Sequence, residues 1–403
     1  AGRPAYAEFS SIVPASGSAY TYTYASLGEF IAFLVGWNLI LEYTVTASAV
    51  ASGWSGYVTG LLKSAGVSVS PMLTLVPADG GIINLPAIFI TLLLSFFLIH
   101  GTQESTKLNR ILVFVKLTAV FIFLLLAGPH VDTANWEPFM PFGFSGVAGG
   151  AAIVFFAYIG FDAVATSAEE CKNPSHDLPI GIIGSLVICT LLYVVVAAVL
   201  TGIVPYTELN SPEPVAFALR YIGYNIGSAL VGVGAIAGIT TVLLVLLYGQ
   251  ARIFFAMSRD GMVPAKICKI HHRYHTPYIV TILGAIFVSL ISGFAPIGII
   301  AEMANIGTLS AFLIAAIGVL VLRITKPELP RTFRCPAVWI IAPMAVLACG
   351  YLMYNLPLDT WIRFVVWCAA GCAVYFSYSY QHSSLGRQQA AKADETDPQT
   401  DID

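Results

Sequence analysis

The run Phe155-Phe156-Ala157-Tyr158-Ile159-Gly160-Phe161-Asp162 decides the fold. It sits in an apolar window, 147–166, with Gly149-Gly150 near its start and no charge before Asp162. Such a segment suits a bilayer, yet Gly160 beside an intramembrane carboxylate permits unwinding at mid-membrane. An unwound helix frees N–H groups for a carboxylate and C=O groups for an ammonium. Close helix packing at Gly160 is the other reading.

Around this run the chain is apolar almost throughout. Its 403 residues are 57% hydrophobic and 10% charged, with mean hydropathy +0.81. Soluble domains run at about 45–50% apolar and about 25% charged. That gap excludes a soluble enzyme and a disordered chain. A net charge of −3 excludes a nucleic-acid binder. Among the seven cysteines none forms a C-x-x-C pair, and most fall in apolar stretches, where they act as reduced small hydrophobes. No phosphate loop, nucleophile–base pattern or cofactor motif is present.

A membrane helix needs about 20 apolar residues. Ten windows qualify: 27–58, 83–100, 108–128, 147–166, 180–204, 228–251, 278–294, 303–322, 338–356 and 361–380. Ten spans put both ends of the chain on one side. Loops on that side carry Lys107, Arg110, Lys172, Arg252, Arg259, Lys266, Lys269, Arg273, Arg323, Lys326, Arg331, Arg334, Arg387 and Lys392. The other side carries Lys63, Arg220 and Arg363. The positive-inside rule therefore makes both ends cytoplasmic. The organisation reads as an end of a helix plus loop (1–26), a membrane domain (27–380) and an acidic, disordered cytoplasmic tail (381–403). Segment 205–227 reads as an external loop with a short amphipathic helix.

Ionisable groups inside spans cost roughly 2.5–3.5 kcal/mol each at mid-bilayer and mark cavities or partners. Glu42 lies well inside the first window, either as a cavity carboxylate or as a helix–helix hydrogen bond. Lys116 lies two turns into the third, either as a buried ammonium that exchanges a proton or as a lysine snorkelling to the interface. Asp162 closes the opening run. Glu302 falls between two windows and reads as a solvated interfacial residue. Cys268, His271, His272 and His275 fit no closed metal-ligand pattern and read as a solvated basic loop, so no metal is assigned.

These motifs together resemble the amino acid permeases of the amino acid–polyamine–organocation superfamily, nearest to the bacterial cationic amino acid transporters. The resemblance spans about residues 5–380. Its motifs are Gly36-Trp-Asn38-Leu-Ile-Leu-Glu42-Tyr43, Gly101-x-x-Glu104-Ser105 followed by Lys116, the opening run, Glu169-Glu170-Cys-Lys-Asn173-Pro174, Ser258-Arg259-Asp260-Gly261 and Pro327-Glu-Leu-Pro330-Arg331. It implies an all-α polytopic membrane protein of LeuT-like fold, two inverted five-helix repeats with two extra C-terminal helices. Measured against that pattern, the first helix and most of the second are missing, and the chain reads as N-terminally truncated.

The resemblance further implies substrate binding at the broken helix by Phe156, Ala157, Ile159, Gly160 and Phe161, with Glu42 nearby. It implies proton coupling through Lys116 with Thr240 or Thr241 as neighbour. The expected function is a proton-coupled amino acid permease of the plasma membrane working by alternating access. An amino acid or polyamine exchanger, or a non-transporting remnant, are the alternatives. The expected partners are an amino acid, a proton and the bilayer, with no cofactor.

Overall fold

Each of the ten apolar windows holds a helix in the computed structural model, which describes residues 8, 18–101, 105–160, 173–274, 276–325, 327–328, 334–335 and 337–383. A short helix α1 (Ser18–Ser26) precedes the long α2 (Glu29–Ser64). Then follow α3 (Leu85–Ile99), α4 (Ser105–Ala127), α5 (Gly143–Val154) and α6 (Pro174–Ile203). The loop helix α7 (Pro214–Tyr221) leads into α8 (Asn225–Arg259), α9 (Tyr278–Phe294), α10 (Ile297–Thr325), α11 (Val338–Tyr354) and α12 (Leu358–Val374). A π turn, Tyr375–Ser379, carries α12 on to His382. No strand occurs among the described residues.

Six of these helices are long and apolar enough to cross a membrane, and α3, α5, α9 and α11 are shorter apolar helices. Hydropathy alone misplaces several ends. Helix α8 runs to Arg259 rather than 251, and the last helix reaches His382 rather than 380. Both overruns carry polar and basic residues, which a helix accepts once it leaves the hydrocarbon. At about 1.5 Å per residue, the 36 residues of α2 make about 54 Å, so it crosses tilted or projects beyond a core of about 30 Å. Helix α10 begins at Ile297 and takes Glu302 inside it. Glu302, expected between two helices as a solvated interfacial residue, instead lies within the first turns of α10. It is half-buried and accepts a hydrogen bond from the fully buried Thr360 hydroxyl at 2.6 Å, which needs an acceptor. The amphipathic loop helix is α7, with Ala216, Ala218 and Leu219 buried.

Burial separates the core helices from the lipid-facing ones. In α2 and α10, 78% and 72% of the apolar window is buried, against 6% in α6. The bundle is therefore built around α2, against which α8 and α10 pack. Lipid tails are as apolar as leucine, so such contacts depend on close approach and on interhelical hydrogen bonds. Both are present. A Cβ on Gly249 would sit 2.4 Å from the Tyr43 ring. Gln250 donates to the Thr44 hydroxyl at 2.5 Å, and the Trp37 indole donates to the Trp367 carbonyl at 2.9 Å.

Polar contacts tie the helix ends together on the lysine- and arginine-rich face. Glu8, 1% exposed, takes both Nε and an Nη of Arg323 at 2.8 Å and the Cys335 N–H at 2.8 Å. The Tyr20 hydroxyl donates to Asp260 at 2.8 Å. Burial raises the Asp260 pKa above the ordinary carboxylate range, with the Tyr20 hydrogen bond and Arg259 pulling the other way. Burial likewise pushes the Tyr20 phenol up, so it stays a donor at neutral pH.

Two outcomes follow for stability. Gly249→Val forces a clash between α2 and α8 and lowers stability by roughly 1–3 kcal/mol, read as a lower Tm in detergent, whereas Gly150→Ala, with open space around it, does not. The raised pKa of Asp260 makes its ionised form costly, so its contribution is favourable at low pH and is lost as pH rises through that pKa. Asp260→Asn therefore raises Tm at neutral pH, and the gain shrinks on acidification. A gain independent of pH would show that ionisation of Asp260 is not the cause.

Candidate functional site: a broken helix braced by its neighbours

The fourth window does not form one continuous helix. Helix α5 ends at Val154, tightens to a 3₁₀ turn over Phe155–Tyr158, and leaves the helix at Ile159 with φ −64° and ψ 139°. Gly160 follows with φ +117°, a backbone region essentially restricted to glycine. Phe161 and Asp162 lie outside the described residues. The sequence reading of a break at Gly160 and the observed backbone coincide, and the glycine is there for its conformation. Among the described residues, a Cβ at Gly160 would meet nothing within 4 Å.

A helix end leaves carbonyls without intrahelical partners. In lipid each such group must be satisfied internally. Two side chains from neighbouring helices do this. The Asn305 amide on α10 donates to the Ile153 carbonyl at 3.2 Å, in the last helical turn. The Tyr193 hydroxyl on α6 donates to the Ala157 carbonyl at 2.9 Å, inside the 3₁₀ turn. The ring of Phe155 meets Phe312 of α10 edge-on at 5.8 Å. Phe156 and Ile159 are half-buried against the main core, while Ala157 is exposed.

Glu42 is 1% exposed in the middle of α2. Its stem packs on Gly307 of α10, whose Cβ position lies 3.8 Å from the Glu42 Cβ. One turn earlier, Asn38 donates to the Ser310 hydroxyl at 3.5 Å and accepts from the Cys368 thiol at 3.6 Å. Residues two apart on a helix point about 200° apart. Asn305 thus faces the break while Gly307 faces Glu42, and the contacts linking Glu42 to the break run through α10.

Lys116 is half-buried on α4, and its stem lies against Gly238 of α8. A Cβ on Gly238 would be 3.1 Å from the Lys116 Cβ and 3.3 Å from its Cδ. The Thr241 hydroxyl donates to that glycine's carbonyl at 2.7 Å. The Thr240 hydroxyl donates to Ile236 at 2.7 Å and accepts the Trp54 indole of α2 at 3.0 Å. Lys116 therefore sits beside the segment that carries both threonines, and that segment is pinned to α2.

Among the described residues no group of three His, Cys, Asp or Glu side chains converges to hold a metal. The Cys268 thiol donates to the Phe254 carbonyl, and the His271 ring accepts from the backbone N–H groups of Arg273 and Tyr274. His275 is outside the described residues.

Asn305, Tyr193, Asn38 and Trp54 escape a reading that looks only for ionisable groups. The available signal was an uncharged amide in an apolar helix, as in Met303-Ala-Asn305-Ile-Gly307, because a buried amide also needs a partner.

Known proteins place the fold in context. A family profile described as amino acid permease matches residues 1–378. The chain is 47% identical over 387 residues to a branched-chain amino acid permease of Bacillus subtilis, covering 95% of this chain and 83% of that protein. It is 46% identical over 384 residues to a methylthioribose transporter of the same organism, again covering 95% and 83%. A vacuolar cationic amino acid transporter of Arabidopsis thaliana is 36% identical over 334 residues, covering 80% of this chain and 55% of that protein. These relatives are transporters and not enzymes, and the chain belongs to the amino acid permease family.

Proposed function

We propose that the protein moves amino acids across the plasma membrane, C-terminus cytoplasmic, by proton-coupled alternating access on a LeuT-like scaffold of inverted repeats. The observation that carries this reading is the break after Val154, where a helix opens its backbone beside half-buried aromatic side chains. A zwitterion fits that chemistry. Its ammonium meets backbone carbonyls of the Ala157–Gly160 stretch, which keep accepting capacity, and its side chain meets Phe156, Ile159 and Phe161. Glu42 lies on the far side of α10, against Gly307. The branched-chain cargo in the name of a close relative agrees with an apolar lining.

In this reading Lys116 is the proton carrier. Its stem is fixed on Gly238, and α8 carries Thr240 and Thr241 next to it. A proton on the ammonium changes the charge felt by α8, and α8 is bonded to α2 through Trp54 and Thr240. That is a short route from protonation to the bundle that holds Glu42. The contacts of Glu8, Tyr20 and Asp260 close the basic face and part when the site opens there.

The near-equal likeness to a methylthioribose transporter favours a second cargo reading, a thio-sugar in the same cavity. Uptake of labelled leucine into proteoliposomes, with methylthioribose and arginine as competitors, separates the two. Displacement by methylthioribose but not by amino acids overturns the amino acid reading.

Two variants test the roles. Lys116→Ala abolishes stimulation of uptake by an inward proton gradient while leaving substrate exchange. Uptake that stays equally gradient-driven removes Lys116 from the coupling. Asn305→Ala takes the side-chain donor from the Ile153 carbonyl, a loss of about 0.5–1.5 kcal/mol. It lowers uptake kcat/KM about tenfold, and Asn305→Gln, which keeps the amide, recovers part of it. Unchanged kinetics in Asn305→Ala would show that the brace is irrelevant to transport.

A further inference from the structure

A cavity of about 410 Å³ lies where the ends of α8 and of the last helix meet on the basic face. That is within the roughly 300–1,000 Å³ range of small-ligand sites. Ser258, Arg259, Gly261, Ala265, Tyr378 and His382 line it. The substrate and proton roles assigned above do not use it, although Asp260, whose contact with Tyr20 parts in the transport reading, lies between two of its lining residues.

Its walls are fixed. Gly261 adopts φ +80°, and a Cβ there would fall 2.3 Å from the His382 carbonyl, so the loop lies directly on the last helix. The Ser379 hydroxyl donates to the Met262 carbonyl at 2.7 Å and fastens the same loop. The His382 ring stacks on Tyr378 with centroids 4.2 Å apart and planes 6° apart. Its Nδ1 lies 2.9 Å from the Tyr378 carbonyl. A carbonyl only accepts, so Nδ1 carries a proton, and Nε2 donates to an anion only in the imidazolium form.

The charge balance at the cavity is positive. Among the described residues no hydrogen bond or ion pair holds the exposed Arg259 guanidinium. Asp260, the carboxylate between two lining residues, accepts from Tyr20 and feels the charge of Arg259 without a direct bond to it. The C-terminal end of α8 brings partial negative charge. Its carbonyls are already capped, with Met262 N–H on Met257 and Gly261 N–H on Ser258 at 2.9 and 3.1 Å. Lys266, Lys269 and Arg273 follow on the same loop.

The Arg259 guanidinium at the cavity suits the non-bridging oxygens of a phosphate, and the His382 imidazolium would add a second donor. The site sits at the ends of apolar helices on the basic face, and basic pockets between helices on such a face take anionic headgroups. We propose that this cavity binds a phosphate-bearing anion, presented by an anionic phospholipid of the facing leaflet.

The test is thermal unfolding of the purified protein in nanodiscs. Phosphatidylglycerol in place of phosphatidylcholine raises Tm by a few degrees in the wild type. Arg259→Gln combined with His382→Gln loses most of that rise. Ala265→Glu, which adds a carboxylate at an exposed lining position and leaves the packing intact, loses it as well. Lys269→Gln, on the same loop but not lining the cavity, keeps it. Inorganic phosphate added to phosphatidylcholine discs gives no rise in the lipid case. A rise there that the double variant abolishes supports the site with free phosphate as the anion. An equal response to phosphatidylglycerol in the wild type, the double variant and Ala265→Glu overturns the proposal.

Discussion

A carbonyl that leaves a helix inside a bilayer has no water to turn to. The structure depends on how that constraint is met at the end of α5. Asn305 and Tyr193 reach in from α10 and α6 and take the carbonyls of Ile153 and Ala157. Those bonds give two of the carbonyls at the break a partner where the chain tightens to a 3₁₀ turn and then extends at Ile159. The break is thus a property of three helices and not of one. The same bonds hold Phe155 and Phe156 in place beside α10.

Helix α10 is the hinge of this arrangement. On one side it braces the break through Asn305, and on another it meets Glu42 through the bare surface of Gly307. The polar seam of Asn38, Ser310 and Cys368 runs alongside. Helix α8 forms the second link, with Gly249 against Tyr43, Gln250 on Thr44 and Thr240 on Trp54. Small residues permit close approach, and the buried polar groups then specify the register. A bundle built this way can exchange one set of discrete contacts for another, which is the property alternating access requires.

Much of the fold was legible in the sequence, because a bilayer converts composition into geometry. Every window of about 20 apolar residues became a helix, and the asymmetry of Lys and Arg marked one face. The break was legible for a local reason. Gly160 tolerates a positive φ that other residues resist, and it stands beside a charge that no membrane helix keeps without purpose. Helix ends were less legible. Hydropathy stops at the first charge, whereas α8 continues to Arg259 and α10 starts early enough to include Glu302. The role of Glu302 was misread for that reason, since its partner Thr360 lies on a helix far along the chain.

The sequence by itself determined that this is a helical protein of the polytopic membrane kind, which windows are helical, and that the fourth leaves the helix beside Gly160. Those properties follow from transfer energies and backbone sterics, which act residue by residue. Only the tertiary structure decided which groups face one another. It set Lys116 on Gly238, put α10 between Glu42 and the break, and brought Asn305 to a carbonyl more than a hundred residues away. It also gathered Arg259 and His382 around one cavity. Such pairings depend on the close approach of helices distant in sequence, and no local rule encodes them.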